Sequence, residues 1–305
     1  MEFLNFNIDA KAEKWYNDNR KQEGASMLTK NITKEMDTNK GETLTMIICT
    51  VTNQKGGVGK TATTINLAAS LNRRGLNTLV VDLDPQSGNF TQSVGAHKED
   101  VDTAREVLLG EVSINEVIQK TNVCDVVPAA VSLQNVESVL ANMPGREMVL
   151  KKALRDLPDD KYQVVLVDTG PSLNLLAIIA LTASTHVLAV SDPDINGLSG
   201  VRQLSEMVEK MKDSYNEKLQ MTGILLTKFE GNTLNSQSIV KMAEQLAAMK
   251  ETILFNTRIR KGVSVPESVV MKMDTYSYDG SSNPAKDYEA FTDEFIHRVG
   301  LTANK

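Results

Sequence analysis

Residues 55–61 read Lys-Gly-Gly-Val-Gly-Lys-Thr, and they directly follow the apolar run Met-Ile-Ile-Cys-Thr-Val at 46–51. A glycine-rich loop that leaves an apolar strand and ends in Lys-Thr is typical of a phosphate-binding loop. Glycines lack β-carbons, so backbone N–H groups can approach a polyphosphate closely. The pattern predicts that Lys60 reaches the phosphates and that the Thr61 hydroxyl binds Mg²⁺.

The loop differs from the standard pattern at its beginning. Gln54 stands where the first glycine is expected, and Lys55 adds a second, early lysine. A helical pattern opens at Thr61 and closes at Gly75, so the loop joins a strand to a helix, as a phosphate loop does. The apolar residues on one face of that predicted helix are Ile65, Ala68, Ala69 and Leu71.

Three aspartates end two further apolar runs. Asp82 and Asp84 lie in Val-Val-Asp-Leu-Asp-Pro-Gln at 80–86, and strand alternation sends both to the same side of the backbone. Asp168 ends the run Val-Val-Leu-Val-Asp at 164–168, which is the Walker B arrangement. Each aspartate alone could equally cap a helix or tie a turn. Together, behind a phosphate loop, they predict a nucleotide site that uses Mg²⁺.

From residue 46 onward, apolar strands alternate with amphipathic helices. This alternation predicts an α/β fold of the P-loop NTPase class with a deviant Walker A loop, in which a mostly parallel twisted sheet carries helices on both faces. Ser113 and Glu116 predict a capping box, and 279–286 reads as a loop. Strands are predicted at 46–51, 78–82, 123–127, 163–168, 186–190, 220–226 and 252–255, and late helices at 237–249 and 288–299.

The composition divides the chain and bounds its chemistry. Residues 1–44 read as an N-terminal arm with one possible short helix and a polar linker, ahead of an ATPase domain at 45–305.

The formal net charge of −6 argues against nucleic-acid binding by bulk charge. Cys49 and Cys124 lie in apolar runs and are expected to be buried, and the histidines form no metal spacing. Without a secretory signal or an apolar span, a cytoplasmic protein is expected.

Together the three motifs resemble the ParA/Soj/MinD family of deviant Walker A ATPases, and most closely its ParA/Soj branch, which segregates plasmids and chromosomes. The resemblance runs from about residue 46 to residue 299. It implies that ATP and Mg²⁺ drive formation of a sandwich homodimer. It also implies that the dimer binds DNA without sequence preference at the nucleoid and that a ParB-like centromere-binding protein stimulates slow ATP hydrolysis.

The resemblance assigns roles residue by residue. Lys55 would act in trans on the partner's nucleotide, Lys60 would hold phosphate in cis, and Asp84 would orient the attacking water. Thr61 would bind Mg²⁺, with Asp82 and Asp168 in its surroundings. The nucleotide would contact the loop and the adenine-side residues Lys55, Gly56, Gly57, Val58, Gly59, Lys60, Thr61, Ala62, Thr227, Lys228, Ile259 and Arg260.

The chain departs from the family pattern at three positions. Gly170 precedes Pro171 where the family has a second proline, which would make this loop more mobile. Asn232 and Ser264 match the arginines with which chromosomal members bind DNA. Four basic residues lie nearby in the sequence: Lys228, Arg258, Arg260 and Lys261. They could form a replacement DNA-binding patch or simply a solvated charged face, and the sequence favours neither.

Three other functions remain to be weighed against partition. A MinD-like membrane-associated ATPase needs a basic amphipathic C-terminal helix, whereas the final helix carries Asp287, Glu289, Asp293 and Glu294. An iron–sulfur reductase of this fold needs paired interface cysteines. A promoter-binding repressor needs a helix-turn-helix module, for which 44 residues are too few. A partition ATPase without a membrane partner is therefore the leading hypothesis.

Overall fold

A computed structural model of the chain describes residues 46–86, 89–96, 98–231 and 234–302, with the backbone alone at 234 and 235. The arm and linker predicted at 1–44 lie outside the described residues, as do Asn232 and His97. Among the described residues, no helix is both long and apolar enough to cross a bilayer.

One seven-stranded sheet organises the described part of the chain. Its strand order is β3-β4-β2-β5-β1-β6-β7, and every pairing is parallel except that of β3 with β4. The predicted mostly parallel sheet is confirmed. The strands are β1 Ile47–Thr52, β2 Thr78–Leu83, β3 Gln119–Lys120, β4 Asp125–Val127, β5 Val164–Thr169, β6 His186–Ser191 and β7 Gln220–Leu226.

Helices connect the strands and cover both faces of the sheet. Three short 3₁₀ turns, at Val131–Asn135, Arg146–Met148 and Leu154–Asp156, lie in the connection between β4 and β5. The α-helices are α1 Lys60–Arg73, α2 Phe90–Ser93, α3 Ala104–Leu109, α4 Ile114–Val117, α5 Val136–Leu140, α6 Val149–Ala153, α7 Leu175–Ala183, α8 Ile195–Ser214, α9 Leu234–Met249, α10 Ser264–Val270, α11 Thr275–Asp279 and α12 Asn283–Arg298.

Strand alternation divides the core into layers on the two faces of the sheet. Along β5, Leu166 packs with α1 and α12 on one face, while Val165 and Val167 pack with α3 and α7 on the other. Both cysteines are buried and free, as predicted. Because β5 is covered on both faces, all six of its residues are buried, which explains its continuous apolar run.

Register places the predicted site residues at one edge of the sheet. In the β2–β5 pairing Asp82 lies opposite Asp168, and in the β1–β5 pairing Val51 lies opposite Asp168. Parallel strands present their carboxyl ends at the same edge. The phosphate loop after β1 therefore opens beside both aspartate motifs.

The structure corrects two predicted elements and adds one. Residues 252–255 do not form a strand, because only Leu254 makes an isolated bridge to Ile224 of β7. Residues 279–286 are not all loop, because α12 begins at Asn283 with the Ser282 side chain capping it and a proline in its first turn. β3 was not predicted, since two residues are too short for a periodic pattern. The capping box of Ser113 and Glu116 is confirmed.

Candidate nucleotide-binding site

The phosphate loop depends on glycines at two positions. Gly57 and Gly59 have φ angles of 73° and 88°, a left-handed conformation that favours glycine. Thr227 supports the loop from below by donating its hydroxyl to the Val58 carbonyl at 2.6 Å. A β-carbon on Gly59 would lie only 3.4 Å from that hydroxyl oxygen. The loop thus ends directly at the N-terminus of α1, where backbone N–H groups favour anions.

Lys60 lies inside the site. It is only 6% exposed, and its Nζ donates to the Lys55 backbone carbonyl at 3.3 Å. Burial lowers the pKa of Lys60, although the charges of Asp168 and Asp84 oppose that shift. A polyphosphate would supply the additional negative charge that a buried ammonium favours.

Asp168 and Thr61 form the lower part of the site. The Thr61 hydroxyl donates to one carboxylate oxygen of Asp168 at 2.8 Å, and the Thr64 hydroxyl lies 2.8 Å from the other. Burial raises the pKa of Asp168 to about 6. Hydroxyl and carboxylate oxygens are suitable donors for Mg²⁺, which is usually bound by few protein groups together with substrate phosphates. Consistent with this, no cluster of metal-ligating side chains occurs among the residues that the structure describes.

Asp82 and Asp84 differ in environment. Asp82 is fully buried, and both of its carboxylate oxygens accept hydrogen bonds, one from the Asp84 N–H at 3.0 Å and one from the Thr91 N–H at 2.8 Å and hydroxyl at 2.6 Å. Burial and the nearby Asp168 raise the pKa of Asp82 to about 8. Asp84 is 9% exposed, and burial raises its pKa while the Lys60 charge opposes the shift.

Lys55 lies at the rim of the loop rather than inside it. Its Nζ pairs with Asp194 at 2.6 Å and with Asp192 at 3.2 Å, and its side chain is 28% exposed. Its backbone N–H donates to the buried Asn53 side chain at 3.0 Å. Asp194 also caps α8 by accepting from the Gly197 N–H at 2.7 Å. Lys55 is thus held against the start of α8 in this conformation.

Four residues were predicted near the adenine. The Ile259 side chain is buried in the core and only 1% exposed, and the Thr227 hydroxyl supports the loop. Lys228, with a φ of 50°, donates its Nζ to the Gly57 carbonyl. Arg260 makes a two-pronged ion pair with Asp287, at 2.9 and 2.6 Å. Contact with a base stays a prediction for all four, and for Ile259 and Thr227 it would come through the backbone.

The remaining basic candidates also have neighbours. The Arg258 guanidinium lies 5.5 Å from the centre of the Phe229 ring, and Lys261 pairs with Glu230. Ser264 is buried, with 5% exposure. DNA contact through Lys228, Arg258, Arg260 and Lys261 stays a prediction.

Sequence reasoning missed several side chains that shape the site. Thr64 lies one helical turn beyond Thr61, so the spacing of the two threonines could have revealed it. Asp192 and Asp194 gave no such signal, because their contacts with Lys55 depend on the parallel pairing of β1 with β6. Asn53 lies two residues before Lys55, and its long-range contact with the Val190 carbonyl depends on the same pairing.

A phosphate loop between a central strand and α1, with an aspartate from the neighbouring strand bonded to its threonine, defines a P-loop nucleotide-binding protein. Comparisons with known proteins place it more narrowly. The family profile AAA_31, an AAA domain, matches residues 46–221. The chromosome partitioning protein ParA of Myxococcus xanthus is 35% identical over 259 residues, which cover 84% of this chain and 89% of that protein. The chain therefore belongs to the ParA/Soj family of ATPases.

Two solved structures share the fold. A cobyrinic acid a,c-diamide synthase from Mycobacterium smegmatis, solved with a bound ATP analogue and magnesium, is 29% identical and superposes with a TM-score of 0.73 over 83% of this chain and 95% of that one. The cell division ATPase MinD of Pyrococcus furiosus is 26% identical and superposes with a TM-score of 0.68 over 83% of this chain and 99% of that one.

Proposed function

We propose that this chain is a Mg²⁺-dependent partition ATPase of the cytoplasm that hydrolyses ATP slowly, forms an ATP-bound homodimer and binds DNA without sequence preference. A ParB-like centromere-binding protein would stimulate hydrolysis and release plasmid or chromosome cargo. The observation that carries the proposal is that the two lysines of one loop occupy different positions. Lys60 is buried beside the acidic residues, and Lys55 lies at the rim.

The residues of the site fit MgATP, so their roles can be derived. The N–H groups of the loop and the Lys60 ammonium would bind the phosphates and orient the terminal one. Thr61 and Asp168 would hold Mg²⁺, which supplies positive charge to the phosphate oxygens. Asp84 would hold the attacking water by accepting its hydrogen bond, and burial of the site would keep other water away.

The position of Lys55 supports action on a second subunit. Lys60 already occupies the inside of its own loop, and Lys55 is directed to the start of α8. Ile195, the first residue of α8, is 67% exposed beside this contact. A second copy placed against this edge would cover Ile195 and offer a phosphate to Lys55 in place of Asp192 and Asp194. A site that is complete only in the dimer accounts for slow turnover by the monomer.

DNA binding is proposed at the basic residues beside the adenine loop. Arg260 and Lys261 have 45% and 65% of their side chains exposed. The Lys261–Glu230 pair is exposed on both sides and therefore weak, so DNA phosphates can compete with Glu230 for Lys261. Arg260 would keep its two-pronged pair with Asp287 and reach phosphate through its remaining guanidinium N–H groups. Dimerisation would bring two such patches together and strengthen binding through valency.

The test is a mobility shift on random-sequence duplex DNA with ATP, with ADP and without nucleotide. We expect a shift with ATP only, and a weaker shift for Arg260→Ala with Lys261→Ala. The double change Lys210→Ala with Lys212→Ala, at two exposed lysines of α8, serves as the charge-matched control. Equal binding in all three nucleotide states would contradict the proposal, as would loss of binding in the control alone.

The MinD-like alternative is not favoured by the contacts of the final helix. Tyr288, Phe291 and Phe295 of α12 are buried in the core, so the apolar face of this helix is already covered. Its acidic residues are also engaged, since Asp287 pairs with Arg260 and Glu289 with Arg74. Sedimentation with anionic liposomes and ATP tests this, and we expect the protein to stay in the supernatant.

A further inference from the structure

Gly170 lies next to the carboxylate of Asp84. A β-carbon built on Gly170 would be 3.2 Å from Oδ1 of Asp84 and 3.5 Å from its Cγ, and the first distance is shorter than ordinary van der Waals contact. The backbone of Gly170 does not have a positive φ, so its conformation is open to other residues. A side chain at position 170 would therefore press on the Asp84 carboxylate, although the backbone there could accept it.

Asp84 has little freedom to move away. Its N–H donates to Asp82 at 3.0 Å, and its carbonyl accepts from the Asn89 side chain at 2.8 Å. Its Oδ1 accepts from the Gln86 N–H at 3.0 Å. A side chain on Gly170 would press on this carboxylate, which would have to shift by a few tenths of an ångström against the bond that it accepts from the Gln86 N–H.

The segment that carries Gly170 also lies near the phosphate loop. A β-carbon built on Gly56 of that loop would be 3.7 Å from the Pro171 Cβ. A cavity of about 50 Å³ lies beside Asp84 and is bordered by Gln86, Gly170 and Pro171. This polar space is large enough for a water molecule.

We propose that Gly170 is a positioning residue for hydrolysis: the absence of its side chain sets the place of the Asp84 carboxylate and keeps the adjoining water-sized cavity open. The inference rests on the proposed ATPase function and on the role of Asp84 in it. It differs from the expectation that glycine at this position loosens the loop. The geometry shows a close approach between position 170 and the Asp84 carboxylate.

The experiment measures single-turnover ATP hydrolysis and ATP affinity for Gly170→Ala and for Gly170→Ser. Rates are expressed per ATP-binding site, so that partial misfolding does not lower them. We expect at least about a 10-fold lower rate constant, because small displacements of a reacting group are costly. We expect ATP affinity within about two-fold of the parent, and a larger loss for serine than for alanine.

Gly280→Ala is the matched control. Gly280 has a φ of −64°, and its β-carbon would lie 3.2 Å from the Tyr276 carbonyl, away from the site. This variant should hydrolyse ATP like the parent. A double-mutant cycle separates positioning from a general structural effect, because Gly170→Ala should cause no further loss in an Asp84→Asn background.

Two results would overturn the inference alone while Asp84→Asn lowers the rate to a low but still measurable value: a parent-like rate for Gly170→Ala, or an equal fold loss in the Asp84→Asn background. An inactive parent, or a parent-like rate for Asp84→Asn, would overturn the proposed role of Asp84 and the inference together.

Discussion

Lys60 is the residue on which nucleotide binding depends most directly. Its ammonium is buried between the loop carbonyl of Lys55 and the charges of Asp84 and Asp168. Removing a buried charge that faces phosphate costs about 2–5 kcal/mol. We expect Lys60→Ala to weaken ATP binding by at least about 30-fold in a titration with a fluorescent ATP analogue. The Lys210→Ala control should bind normally, and retained affinity in Lys60→Ala would refute the role of this lysine.

The buried Asp82 predicts how stability depends on pH. Its pKa is raised to about 8, so the folded state binds a proton that the unfolded state, with an ordinary carboxyl, has released. A carboxyl group whose pKa is higher in the folded state than in the unfolded state stabilises the fold fully at pH values below its unfolded-state pKa. This stabilisation is lost as the pH rises through its folded-state pKa. His186, whose pKa is lowered by burial, titrates below this range.

We therefore expect the free energy of unfolding of the nucleotide-free protein to fall between pH 7 and about pH 8.5. Urea denaturation across this range measures it. A free energy that rose with pH would show that Asp82 is charged in the folded state at neutral pH.

At the level of single residues, local sequence revealed those side chains whose role follows from spacing. The loop, Asp82, Asp84 and Asp168 were all found in this way, because each lies at the end of an apolar run. Partners distant in sequence were not found. Arg260 reaches Asp287, which lies 27 positions further on, and Lys55 reaches Asp194, which lies 139 positions further on. Such pairs depend on how helices and strands pack against each other, and this packing leaves no pattern in the residues next to either partner.

Two elements, α1 and α12, are joined by ion pairs as well as by apolar packing. Arg74 at the end of α1 contacts Glu289 at 2.7 Å and Asp293 at 2.8 Å, both on α12. Arg73 also pairs with Glu289, and with Asp274 at 3.0 Å. This cluster fixes α1 against the C-terminal helix α12, and the phosphate loop lies at the other end of α1.

Glu289→Ala should destabilise the protein. Arg73 would keep Asp274 and Arg74 would keep Asp293, but both arginines would lose a half-buried partner. The loss of hydrogen bonds between charged groups costs about 1.5–3 kcal/mol. The free energies of unfolding of Glu289→Ala and Glu206→Ala, measured with denaturant, compare the cluster around Glu289 with the exposed Arg202–Glu206 pair of α8. A pair of the second kind typically contributes about 0.3–0.5 kcal/mol. Equal small effects in both variants would mean that the cluster contributes no more than a surface pair.

The elements themselves were largely predictable, and the exceptions have physical causes. Residues 252–255 have a strand-like composition but make only one bridge, to Ile224 of β7. The start of α12 at Asn283 was read as loop because Ser282 and Pro284 also occur in turns. In both cases a short segment fits two conformations, and tertiary packing decides between them.

At the scale of the whole molecule, the proposed dimer would use Lys55 to connect the site to assembly. In the single chain it pairs with Asp192 and Asp194, and these pairs must break before it can reach a partner's nucleotide. We expect Lys55→Ala to bind ATP but to remain monomeric. Analytical ultracentrifugation with ATP measures this, with Lys210→Ala as the control. A dimer of Lys55→Ala would remove this lysine from the interface.

The most direct test of the account is the mass of the Asp84→Ala variant in solution, because this change should preserve ATP binding and prevent hydrolysis. Size-exclusion chromatography with light scattering, in saturating ATP and Mg²⁺, is expected to give the mass of two chains of 33.5 kDa each. With ADP the same measurement should give the mass of one chain. A single-chain mass in both nucleotides would contradict the claim that ATP joins two copies through Lys55.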